Sequence, residues 1–170
     1  ASCWRRVGYL VESPFAYPDL TVTENLVVAA RLHGIARRHA LGVATEAIDR
    51  LGLAVYANRL AGRLSQGNRQ RLGIAAALAH RPNLIIVDEP TNALDPAGVV
   101  LVRDLVTELA AGGAAVLVSS HHLDEVARVA DRTLVVHRGR IIGNLDPAGP
   151  ELERRFFDMA HAFDMARSPD

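Results

Sequence analysis

Leu64–Asp95 reads LSQGNRQRLGIAAALAHRPNLIIVDEPTNALD, and these 32 residues decide the fold. At their centre, Leu84-Ile85-Ile86-Val87 is a short apolar run rich in β-branched residues, bounded by Pro82-Asn83 and by Pro90. Such a run predicts a strand buried on both faces, and therefore a parallel sheet. Asp88 and Glu89 follow at its carboxyl end. In open α/β sheets that edge is where ligands bind. Two adjacent acids there can divide metal-assisted hydrolysis, one holding Mg²⁺ directly or through water, the other orienting or deprotonating the attacking water. Taken alone, the pair reads equally as two strand-end carboxylates solvated in a turn.

The flanks add to this pair. Before the strand, Leu64-Ser65-Gln66-Gly67-Asn68 leads into an amphipathic segment, Arg69 to His80, with Leu72, Ala75, Ala76 and Ala79 at helical spacing. Ser65 is suited to cap that helix, and Gly67 to let another backbone come close. A helix start of this kind attracts anions through its free N–H groups and dipole, although every capped helix shares the feature. After the acids, Asn92-Ala93-Leu94-Asp95 forms a tight loop, and Pro96 suits the first turn of a further helix. Ala114 to Val118 reads as a second buried strand, ending in Ser119-Ser120-His121. That places an imidazole at the same sheet edge as Glu89.

In order and spacing these segments resemble the ATP-binding domain of ABC transporters. LSQGNRQRL is similar to the signature motif, LIIVDEP to Walker B, NALD to the D-loop and VSSHHLDEV to the switch-histidine loop, over roughly residues 5–145. The resemblance implies an α/β fold: a P-loop NTPase-like parallel sheet flanked by helices, with a helical insertion. It implies ATP and Mg²⁺ as ligands, with Asp88 serving the metal, Glu89 as the catalytic carboxylate and His121 at the γ-phosphate. Ser65 and Gly67, with Gln66 and Asn68 of the same motif, would bind ATP held by an opposite subunit. Asp95 would communicate across that dimer.

Val7-Gly8-Tyr9-Leu10-Val11-Glu12-Ser13-Pro14 resembles the strand and loop carrying the family's usual glutamine, with Glu12 at that position. Together with its ESPFAYPDLTVTENL continuation, it resembles bacterial exporters of the bacitracin- and antibiotic-resistance type. By that resemblance Glu12 would reach the metal through water. A glutamate can accept hydrogen bonds from such a water but cannot donate as an amide does. The implied partners are a separate transmembrane permease and a second ATP-binding subunit. The implied location is the cytoplasmic face of the bacterial membrane, held peripherally.

Between these motifs, Thr21-Val22-Thr23-Glu24 has the spacing of a capping box, followed by Leu26, Val27, Ala30 and Leu32 as an apolar face. A second amphipathic helix is expected from Ala40 to Leu51. Phe15, Tyr17 and Leu20 are candidates either for a groove receiving the membrane partner or for stapling the insertion to its own core. Toward the end, Arg132–Val136 and Ile141–Gly143 read as a hairpin, and residues 147–170 hold an amphipathic helix with Leu152, Phe156, Phe157, Met159, Ala160 and Phe163. The whole is read as one partial domain over 1–170. The insertion and signature helix occupy about 14–80, the sheet core about 81–145 and a terminal helix about 146–170.

Composition agrees with a folded α/β chain. Hydrophobic residues make up 49% and charged residues 22%, enough for a core beneath a soluble surface. Net charge is zero, which argues against nonspecific nucleic-acid binding. Cys3 is single, so no internal disulfide forms. No stretch approaches the ~20 apolar residues of a membrane span, and no signal-peptide pattern is seen. Every one of the 19 basic residues is arginine. No glycine-rich loop with a lysine precedes Gly8, so Walker A, its strand, the following helix and the adenine-stacking aromatic are expected to be missing. This reading expects the chain alone to hold ATP very weakly and to be poorly soluble. It also leaves a second possibility, a truncated non-catalytic remnant. Related chromosome-structure and DNA-repair ATPases carry long heptad insertions, and related translation factors a second head with a charged linker. Neither is present here.

Overall fold

The computed structural model describes residues 3–11 and 14–166. These fall into two compact units, Ala1–Ser119 and Ser120–Asp170.

The first unit joins a three-stranded parallel sheet to a group of helices. Strands β1 (Val7–Leu10), β2 (Leu84–Asp88) and β3 (Ala115–Ser119) lie in the order β1-β2-β3. In register, Tyr9 lies beside Ile86 and Ile86 beside Leu117. Three helices connect β1 to β2: α1 (Val22–Leu32), α2 (Arg37–Arg50) and α3 (Gln66–Leu78). A fourth, α4 (Pro96–Ala111), connects β2 to β3.

Local sequence accounts for the helix boundaries. Thr21 caps α1 through its hydroxyl, and the Glu24 carboxylate reaches back to the Thr21 backbone N–H at 2.7 Å, completing the expected capping box. Val22, Leu26 and Ala30 are fully buried on one stripe. Leu32, expected on the same face, is instead 76% exposed. At 3.6 residues per turn, six residues past Leu26 is the far side of the helix. Asn25 is a buried polar residue whose side chain is fully employed. It accepts from the Tyr17 N–H and donates to the carbonyls of Tyr17, Leu20 and Thr21. This pins the loop before α1, while Phe15 and Tyr17 remain exposed and meet edge to face at 5.1 Å.

The strand at the centre of the sheet departs from the expectation of burial on both faces. Ile85 and Val87 are buried and join Leu10, Leu72, Ile74, Val102 and Leu105 in one core. On the other face Leu84, Tyr9 and Leu117 are exposed. The side-chain alternation of a strand sends neighbours to opposite faces, and among the described residues α3 and α4 pack on one face only. Gly8 is required where β1 meets α3, because a side chain there would collide with the Ala77 carbonyl.

In the second unit a short helix α5 (Leu123–Ala127) precedes the antiparallel hairpin β4 (Thr133–His137) and β5 (Arg140–Leu145). Arg138 and Gly139 both take positive φ, as a tight hairpin turn demands. Helix α6 (Leu152–Met165) packs along β5. Asp164 ties it to the turn by accepting from Arg138 at 3.1 Å and pairing with His137 at 3.0 Å. Phe157 was expected on the packed face but is 65% exposed. It is adjacent to Phe156, and consecutive helical residues point about 100° apart. No helix among the described residues is long and apolar enough to cross a membrane.

Candidate functional site

The acids lie at the carboxyl edge of the parallel sheet. Asp88 is the last residue of β2, and its carboxylate accepts a short hydrogen bond from the Ser119 hydroxyl at the end of β3. In-register pairing of Asp88 with Ser119 brings the two together. Glu89 leaves the strand in a left-handed conformation, φ 46°, which a non-glycine residue adopts rarely. Its N–H donates to the Ser119 carbonyl at 2.9 Å. Its carbonyl accepts from Asn92 N–H at 3.1 Å, closing the turn.

Helix α3 flanks this turn. Ser65 is its cap, accepting from the Asn68 N–H at 3.3 Å, as the sequence suggests. Gln66, Gly67 and Asn68 form the first turn, where N–H groups lack intrahelical partners. A Cβ on Gly67 would stand 2.7 Å from the Ala93 carbonyl, so only glycine allows this turn to approach the loop after Glu89. Asp95 caps α4 by accepting from Gly98 N–H at 3.0 Å, and the guanidinium of Arg71 on α3 lies 2.6 Å from the same carboxylate oxygen. The Gly98 N–H foremost, with Arg71 beside it, holds the Asp95 carboxyl below the usual range despite some desolvation. Signature-like helix and post-acid loop thereby meet at Gly67 and at Arg71.

The structure therefore brings together Asp88, Glu89, Ser65, Gln66, Gly67, Asn68 and Asp95 on one unit. His121 belongs to the second unit, where its ring lies 4.0 Å from that of His122. Glu12 lies outside the described residues.

Three contributors were not singled out from sequence. Ser119 bonds Asp88, Arg71 holds Asp95, and Gln70 donates to the carbonyls of Glu89 and Pro90. Gln70 did leave a signal. It shares the buried stripe of α3 with Ile74, Ala77 and Leu78, spaced i, i+4, i+7 and i+8, and a polar residue in an apolar stripe needs a partner.

The donor set suits a hard cation and an anion side by side. Asp88 offers carboxylate oxygens with one hydroxyl already bonded, and such oxygens suit Mg²⁺. The capped start of α3, 13 residues long, offers N–H groups to a phosphate.

Comparison with known proteins agrees with this geometry. Residues 2–92 match the ABC transporter family. The chain is 40% identical over 139 residues to the bacitracin transport ATP-binding protein BcrA of Bacillus licheniformis, spanning 81% of this chain and 44% of that protein. It is 43% identical over 138 residues to the daunorubicin/doxorubicin resistance ATP-binding protein DrrA of Streptomyces peucetius, spanning 81% of this chain and 42% of that protein. The lantibiotic transport ATP-binding protein SrtF of Streptococcus pyogenes matches at 32% identity over 96% of this chain and 69% of its own. A solved structure of an ATP binding subunit of an ABC transporter superposes with TM-score 0.75 and 28% identity, covering 95% of this chain and 66% of the other. The chain thus spans less than half the length of several curated relatives it matches. A parallel sheet with two acids at its carboxyl edge, flanked by a capped signature-like helix and matched by these relatives, places the chain in the ABC transporter family, in its ATP-binding domain.

Proposed function

We propose that the protein containing this chain hydrolyses ATP and couples that hydrolysis to export through a separate transmembrane permease. The observation that carries the reading is Asp88 at the end of β2 and Glu89 next to it, with α3 bonding the Glu89 carbonyl through Gln70 and meeting the following loop where Gly67 faces the Ala93 carbonyl. Relatives named for bacitracin transport, lantibiotic transport and daunorubicin/doxorubicin resistance support an exporter of drug or antibiotic cargo.

In this reading Asp88 would hold Mg²⁺, with the Ser119 hydroxyl bonded to its carboxylate fixing the orientation of that group. Bound Mg²⁺ supplies charge neutralisation on the phosphate oxygens. Glu89 orients and polarises the attacking water. The left-handed backbone at Glu89 sets this residue apart from the extended chain of β2. His121 would contact the γ-phosphate, and Glu12 would serve the metal through water. Ser65, Gln66, Gly67 and Asn68 present hydroxyl, amide and N–H donors to the γ-phosphate of ATP held by a second ATP-binding subunit. Asp95 carries the state of one site toward the other, and its contacts to Arg71 and Gly98 link α3 to α4 for that purpose. The chain belongs to a subunit resting peripherally on the cytoplasmic side of the membrane.

The test is Glu89→Gln in the full-length protein with its membrane partner. ATP turnover should fall about 100-fold or more while ATP binding persists, the range general-base removal produces. Unchanged turnover overturns the role given to Glu89.

A further inference from the structure

From the contacts around Glu89 we infer that Gln70 is a positioning residue for ATP hydrolysis, holding the Glu89 backbone in its left-handed turn and so aiming the carboxylate. The inference rests on the proposal that Glu89 serves hydrolysis.

Glu89 stands at φ 46°, where a side chain crowds its own backbone, so the conformation persists only if its surroundings impose it. Three elements do so. The end of β3 takes the Glu89 N–H through the Ser119 carbonyl. The turn itself closes from Asn92 N–H to the Glu89 carbonyl. The third restraint is a side chain. The Gln70 amide donates to the carbonyls of Glu89 and Pro90, both at 3.3 Å, bridging the two consecutive peptide units on either side of Pro90 within the turn. Pro90 has no N–H and so cannot donate a backbone bond of its own.

Gln70 is only 6% exposed, so its amide has few alternatives to those carbonyls. It sits one helical turn after Gln66, the first residue of α3. One rigid helix thus carries both the anion-binding turn proposed above and the clamp on Glu89. Movement of that turn is transmitted to the Glu89 backbone without Gln70 touching the nucleotide.

Gln70→Met keeps the length and removes the N–H groups. In the full-length protein with its membrane partner, Gln70→Met should lower kcat about 10- to 100-fold, the scale of a small misplacement, with KM for ATP within about threefold of wild type. Introduced into Glu89→Gln, it should add no further loss. Near-wild-type kcat in a folded Gln70→Met protein overturns the inference, as does a loss spread equally over kcat and ATP affinity, which marks general disruption. Should Gln70→Met not fold, Gln70→Asn, which keeps the amide but is too short to reach both carbonyls, is judged by the same split. The two ideas fail separately. Full turnover in Glu89→Gln removes the role of Glu89 and this inference with it. Loss in Glu89→Gln without loss in Gln70→Met removes the inference alone.

Discussion

The helices α1 and α2 and the strands β1 to β3 solve burial in opposite ways. Val22, Leu26 and Ala30 of α1 and Ala44 of α2 are fully buried against their neighbours. In the sheet, Ile85 and Val87 are equally buried, yet Tyr9 and Leu117 on the other face are 55% and 58% exposed. A helix needs one stripe covered, whereas a strand presents two faces. Closure of the helices is therefore a local affair of capping and stripe-to-stripe packing. The sheet closes one face and gathers its polar groups at its carboxyl edge.

The sharpest way to break that comparison is a matched pair of truncations. Leu26→Ala should lower unfolding free energy by about 2–5 kcal/mol, as buried leucine truncations do. Leu117→Ala on the outer sheet face should fall within about 0.5 kcal/mol of wild type. Urea unfolding midpoints measure both, and equal losses would show that the outer face is covered in solution.

A smaller effect concerns the junction between helices and sheet. The rings of His33, at the end of α1, and His80, after α3, stack at 3.7 Å and 2°. The His80 Nε2 lies 3.1 Å from the Val7 carbonyl of β1. Burial first, then the neighbouring His33, pushes the His80 pKa from 6.5 down to about 4, against the opposing pull of the Val7 carbonyl. The folded chain thus resists a proton that the unfolded chain takes up. Stability falls as pH drops from about 6.5 to about 4, and the loss is complete below that. Because the ring is only half buried, the loss should be about 1–2 kcal/mol. His80→Phe keeps a stacking ring without the titration, so its stability should decline less over the same interval. Parallel pH curves for the two proteins would show that His80 does not report on this junction.

The smallest effect sharpens the claim that the helices close locally. Thr21→Ala removes the α1 cap and should cost about 1 kcal/mol. Glu24, whose carboxyl the Thr21 backbone N–H and then its hydroxyl hold below the usual range, should move only part of the way toward its ordinary titration in that variant, because the backbone N–H remains. An NMR titration of Glu24 unchanged by the substitution would mean that the Thr21 hydroxyl does not hold the Glu24 carboxylate in solution.

Much of the candidate site is legible in the sequence because its parts are contiguous. The strand-end acids, the Ser65 cap and Pro96 at the start of α4 each depend on neighbours within about four positions. Where single-sequence reading departs from the structure, spacing explains it. Leu32 and Phe157 are apolar but off the packed stripe. Leu84 alternates onto the open face of a strand whose composition suggests two covered faces. Gln70 and Arg71 stand in plain view in LSQGNRQRL, but their partners lie 19 to 24 residues away in the chain. Spacing rules for one helix say nothing about that distance.

By itself the sequence determined the kinds of element, their caps and turns, and which residues are candidates for the chemistry, since all of these follow from interactions between near neighbours in the chain. Only the tertiary structure decided which carbonyls Gln70 would bridge, that Arg71 would meet Asp95, that Ser119 would bond Asp88, and that β2 would lie between β1 and β3 with one face open. These depend on the register of strands and the approach of a helix to a sheet. Long-range packing sets both, by the joint burial of side chains from separate elements.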